Sequence, residues 1–193
     1  MKPRTGWAVF AFLALIALAV RVACAVTVMG YDVDINDFRI WADIAGREGP
    51  WGFYQASGFC DYPPGYILVL TLVGLLGRLT GGTTVLMAKM PAILADIATS
   101  AVLYRTAVRR TGDTGKALVL SALYLFNPLT VLVGSAWGQC DSVMALFLVL
   151  TVIFALSGRW RLALPSYAAA VMLKPQALLF GPLGLLALVM AWI

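Results

Sequence analysis

The chain has 193 residues, 62% of them hydrophobic and 12% charged, with a mean hydropathy of +0.91. A soluble domain is about 45–50% apolar and about 25% charged, so this balance excludes one. The net charge of +5 comes from 14 basic and 9 acidic residues. The basic ones stand mostly at the ends of apolar runs, as membrane loop anchors do, and imply no nucleic-acid partner.

Residues 7–29 form the first apolar run, behind Lys2 and Arg4. It exceeds the roughly 7–15 residues of a signal-peptide core, so it reads as a retained spanning helix. Arg21 interrupts it and must snorkel or face a bundle. Residues 30–62 read as a long polar and aromatic loop outside the membrane. Within it, Phe38, Trp41 and Ala45 recur at helical spacing, with Ile40 and Ile44 beside them, predicting a short interfacial helix.

The stretch Cys60-Asp61-Tyr62-Pro63-Pro64 opens a short apolar segment, residues 67–79. Proline is tolerated in a helix's first turn and preorganises it, so Pro63 and Pro64 read as a structural start. A helix over 85–104 carries Lys89 and Asp96, seven residues apart and therefore on one face. Both must point into the bundle. A basic loop with Arg105, Arg109, Arg110 and Lys116 follows. The next helix, 117–135, is weakened at Asn127-Pro128.

After Trp137-Gly138-Gln139-Cys140-Asp141, a helix spans 142–156. Arg159 and Arg161 mark a basic turn. A helix over 162–180 is broken at Lys174-Pro175-Gln176, where Pro175 kinks the chain. The run 183–193 stops within a span, predicting a chain truncated at its C terminus. The expectation is a single transmembrane domain over 1–193 with six to seven hydrophobic segments and an outer loop at 30–62. No alternation of the kind that builds membrane β-barrels occurs.

Basic segments face the cytoplasm, which puts 1–4, 105–116 and 159–161 inside. Loop 30–62 and the Trp137 turn are then outside. The count has a flaw: an odd number of crossings is needed between Tyr62 and Arg105, yet two apolar segments lie there. Either 67–79 does not span, or one basic loop breaks the rule.

Acids gather on the expected outer side: Asp32, Asp34 and Asp37, then Asp61, then Asp141, each near Trp or Tyr. Such a surface suits a carbohydrate, and equally an ordinary aromatic belt. Lys174, beside its proline, could meet an anionic headgroup or phosphate as a point charge. Histidine is absent, and Cys24, Cys60 and Cys140 have no metal spacing. Cys60 and Cys140 could pair on an oxidising side, although free thiols are the simpler reading. No nucleotide-binding motif is present.

In these motifs the chain resembles the multi-spanning GT-C glycosyltransferases that use polyprenyl-phosphate sugars. Asp34 and Trp41, the run Asp61 to Pro64, the pair Lys89 and Asp96, the pair Asn127 and Pro128 with Trp137 to Asp141, and Lys174 to Gln176 follow in the family's order. The resemblance implies an all-α polytopic bundle, GT-C-like in its N-terminal portion, with short interfacial helices in the first outer loop. It implies a hexosyltransferase with inverting transfer from a polyprenyl-phosphate-sugar donor to a glycan or lipid-linked acceptor, Asp34 being the catalytic base. Substrate contacts would be Asp32, Asp37, Trp41, Asp61, Tyr62, Trp137, Gln139, Asp141, Lys174 and Gln176. Lys89, Asp96, Asn127, Pro128 and Pro175 would be structural. No cofactor is implied, though clustered carboxylates leave a divalent cation open. The implied location is a bacterial inner membrane, with the active side extracytoplasmic. A transporter or lipid-carrier flippase is the alternative reading, since both also place Lys and Asp within broken helices.

Overall fold

The computed structural model describes residues 3–182 and 184. The apolar run at 183–193 lies outside the described residues, apart from position 184. Among the described residues all regular structure is helical: α1 (Pro3–Thr27), α2 (Asp32–Ala56), α3 (Pro64–Leu79), α4 (Val85–Thr111), α5 (Thr114–Leu125), α6 (Pro128–Val131), α7 (Asp141–Leu156) and α8 (Trp160–Leu173). A π-helical turn, Leu132–Trp137, continues α6, and a 3-10 turn, Pro175–Phe180, follows α8.

Two helices, Thr5–Thr27 and Val85–Thr111, are long and apolar enough to cross a bilayer, and α5 with α6 and the π turn forms a third span bent by 44°. The chain is a multi-pass, all-helical membrane protein. The bend follows from Asn127-Pro128. Proline 128 has no N–H to continue α5, and the Asn127 side chain accepts from the Leu129 N–H to start α6 afresh.

The spans run between two ends. Tyr104 in the last third of α4 meets Trp7 and Phe10 near the start of α1. Arg110 donates to the Leu156 carbonyl at the end of α7. These contacts define a basic end. At the opposite end, Lys89 near the start of α4 reaches the last carbonyls of α1 and that of Ala136. The basic segment expected as a loop at 105–116 is largely helix, because α4 extends to Thr111 and ends on the left-handed Gly112.

Residues 32–56 are not a loop with a short helix but a 25-residue helix sharply broken at Gly49. Asp32 and Asp34 occupy its first turn, where acidic groups favour the helix dipole. Gly49 takes φ 71°, ψ 170°, and the chain then doubles back. As a result the Phe59 carbonyl accepts from Trp41 Nε1 and the Tyr62 ring meets Phe38.

Helix α3 then runs alongside the first part of α2 at very close range. A Cβ added at Gly74 would lie 1.8 Å from the Ala42 carbonyl oxygen. The expected greasy stripe of Phe38, Trp41 and Ala45 is buried against α3 rather than laid on lipid.

The same contacts bear on the crossing count. Tyr62, before α3, meets Gln139 beside the Trp137 turn. Thr83, after α3, bonds Asp43 and Arg39 of α2 six residues ahead of Lys89. Both flanks of α3 therefore lie at the Trp137 end of the bundle.

Candidate functional site at the Trp137 end

Polar groups from four elements meet beyond the last turns of the spans. Asp34 of α2 accepts from Trp137 Nε1 at 2.9 Å and also from the Gln139 side-chain amide. Tyr62, ahead of α3, donates to Gln139 Oε1 at 3.5 Å. Behind Gln139, Lys174 pairs with Asp141 at 2.9 Å, both groups partly exposed. The two prolines explain the placement. Pro63 and Pro64 start α3 beneath Tyr62, and Pro175 starts the 3-10 turn directly after an extended Lys174.

Gly138 lets the turn fit here. It takes φ 92°, and a Cβ there would strike Ile35 Cδ1 at 2.6 Å and Lys89 Cγ at 2.8 Å. Any side chain would push Trp137 and Gln139 away from Asp34.

A cavity of about 250 Å³ lies beside this cluster, lined by Asp61, Tyr62, Pro63, Lys174, Pro175 and Gln176. Asp34 does not line it. A larger groove of about 590 Å³ sits elsewhere, at the bend between α5 and α6, and its lining from Val119 to Pro128 is almost wholly apolar.

The electrostatics reflect crowding of like charge. Burial, then the negative charges of Asp34 and Asp61, raise the Asp37 carboxyl above its ordinary range. Burial pushes the Cys140 thiol up to about 11 and the Tyr62 phenol far above its usual value. All three cysteines are free. Among the described residues no cluster of three or more His, Cys, Asp or Glu could hold a metal ion.

The remaining expected residues are placed differently. Asp32 is exposed at the start of α2. Trp41 is only 4% exposed and packs on Phe38, Phe59 and Tyr62, so it offers no ring face to a sugar. Lys89 and Asp96 do not pair with each other. Lys89 Nζ holds the carbonyls of Ala25, Val28 and Ala136 at 3.4, 2.6 and 2.7 Å. Asp96 pairs with Arg21 at 3.4 Å, and both are fully buried.

Arg21 also takes the Leu125 carbonyl at 2.6 Å and Thr130 Oγ1 at 3.2 Å, while Tyr124 bonds Asp96 at 3.1 Å. Arg21, Tyr124 and Thr130 were not among the expected structural residues. The signal for the first was present, as a lone arginine within an apolar run.

The family model described as "PIG-U: GPI transamidase subunit PIG-U" matches residues 54–191. The chain belongs to that family. No curated protein and no solved structure matches it. The PIG-U match spans every residue lining the 250 Å³ cavity and begins after the part of α2 that carries Asp34.

PIG-U membership overturns the GT-C glycosyltransferase reading, and with it the hexosyltransferase activity, the polyprenyl-phosphate-sugar donor and the glycan acceptor. The transporter or flippase alternative goes with them. The carboxylate expected to take a proton is committed to Trp137 and Gln139, and the lysine expected to hold a phosphate is committed to Asp141. Acid-aromatic pairs and lysine–proline breaks here tie helices together.

Proposed function

We propose that this chain is a non-catalytic membrane subunit of a GPI-transamidase-type assembly. Its bundle would hold a polar docking end, formed by α2, α3, the Trp137 turn and the Lys174 turn, at a fixed position on the membrane. The observation that carries this reading is the family match over 54–191, which contains the whole cavity at that end.

The commitment of Asp34 and Lys174 supports it. Asp34 joins α2 to the Trp137 turn, and Lys174 joins the 3-10 turn to α7. Side chains held this way define a shape for a partner rather than a reacting centre. The basic residues at the far end of α4 and between α7 and α8 support a cytoplasmic placement of that end. The Trp137 end then faces away from the cytoplasm.

The test is the size and content of the native particle. The full-length protein is tagged in its own membranes, solubilised in a mild detergent and separated without denaturation. The expected result is a particle well above the 20.7 kDa chain and its micelle, containing subunits of a transamidase. A particle holding the chain alone would overturn the proposal.

A further inference from the structure

Five leucines of α3 are exposed among the described residues. Leu68, Leu72, Leu75, Leu76 and Leu79 are exposed by 50, 65, 46, 58 and 82%, although the helix is packed along its other side. Their spacing of four, seven, eight and eleven residues from the first makes one continuous stripe. Water is a poor neighbour for such a face, and a patch of this kind marks an interaction surface.

Three observations say what covers it. The first is position: both flanks of α3 lie at the Trp137 end, so the helix runs beside the bilayer boundary set by α1 and α4 rather than through the membrane. The second is the division of charge between the paired helices. Helix α2 carries Asp32, Arg47 and Glu48 on its exposed side, whereas α3 has one charged residue, Arg78, whose Nη1 is turned back to the Gly46 carbonyl at 3.1 Å. The exposed side of α2 is thus mixed, with Val33 and Ile40 beside its charges, whereas that of α3 is almost wholly apolar.

The third is where the small residues point. Helices that pack together in lipid meet through glycine and other small side chains. Gly65, Gly74 and Gly77 are all used inward, against Met172, Ala42 and Thr83. The outward stripe holds only leucine, which suits acyl chains better than another helix. It is also continuous with the membrane-facing surface, since α3 packs on α4 and α8, whose Leu94 and Met172 are themselves exposed.

We propose that α3 lies in the plane of the membrane, with Leu68, Leu72, Leu75, Leu76 and Leu79 seated among the lipids of the leaflet at the Trp137 end. This rests on the multi-pass fold and not on the subunit role, so either can fail without the other.

The experiment places a nitroxide on the stripe. The full-length protein carries Cys24→Ser and Cys60→Ser; the buried Cys140 is kept, and a protein without a new cysteine reports any labelling there. Leu68→Cys, Leu72→Cys and Leu76→Cys are labelled one at a time and reconstituted in phosphatidylcholine vesicles. Collision with oxygen is compared with collision with a water-soluble nickel chelate. Leu75→Cys replaces any variant that fails to elute as the parent does.

The expected result is strong oxygen access and weak nickel access at all three sites, at nearly equal shallow depth. A spanning helix would instead separate positions 68 and 76 by about 12 Å in depth, and that gradient would overturn the proposal. So would strong nickel access, which marks a wet surface. Shielding from both reagents would mark a protein contact, and would overturn it equally.

Discussion

Arg21 is a fully buried cation, and its surroundings show what a charge needs in order to stay in the bundle. Its three donors meet a carboxylate, a carbonyl freed by the break after α5 and a threonine hydroxyl. Removing one partner of a buried pair leaves the other charge uncompensated, at a cost of about 3–5 kcal/mol. Asp96→Ala is therefore expected to lower thermal stability in detergent strongly. Arg21→Met combined with Asp96→Leu should recover most of the loss. Equal melting of single and double variants would show that the pair is not a staple.

At this scale the sequence was half legible. Lys89 and Asp96 had to face inward because lipid excludes them, and they do. Their partners could not be read, because the groups that hold Lys89 are backbone carbonyls, and a carbonyl looks the same at every residue. The same limit applied to Asp34: an acid near a tryptophan reads alike whether it awaits a ligand or holds the tryptophan's N–H.

Among the elements, the apolar helices were visible in outline because hydropathy alone carries them. Helix α2 was not. Residues 32–56 are rich in charge and include Gly49 and Pro50, so local preference argues for a loop. Tertiary packing overrides it, by burying Ile35, Phe38, Trp41 and Ala45 along one side. That packing depends on backbone contact between α2 and α3.

Gly74→Ala would place a methyl 1.8 Å from the Ala42 carbonyl, and relieving it requires the helices to part. Overpacking of this kind costs about 1–3 kcal/mol, or more where backbone must move. Gly58→Ala, which meets nothing within 4 Å, should stay within about 0.5 kcal/mol of the parent. Comparable melting of the two variants would show that the close approach contributes nothing. Neither glycine stands out in sequence, since the demand on Gly74 is made by a residue 32 positions earlier.

For the whole molecule, the crossing count could not be closed from hydropathy because α3 is apolar while both its flanks lie at one end of the bundle. With α3 removed from the count, the basic ends of α4 and of the α7–α8 turn fall on one side. An impermeant maleimide applied to the non-cytoplasmic face should label Ser57→Cys, next to the fold-back of α2. It should leave Thr111→Cys and Ser157→Cys unlabelled until the membrane is opened. Labelling of all three from one face would mean that α3 crosses after all. The functional reading failed at this scale for a related reason. Five short motifs in a familiar order describe how a bundle is tied at one end, and a tie of this kind serves a subunit as well as an enzyme.

The buried cations also impose an order on synthesis. Lys89 leaves the ribosome with α4, but one of its three carbonyls, that of Ala136, is made nearly fifty residues later. Arg21 waits longer still for Leu125 and Thr130. Until the third span arrives, Arg21 has only Asp96 and Lys89 only the two carbonyls at the end of α1. Both buried cations therefore gain their full set of partners only when the third span packs against the first two.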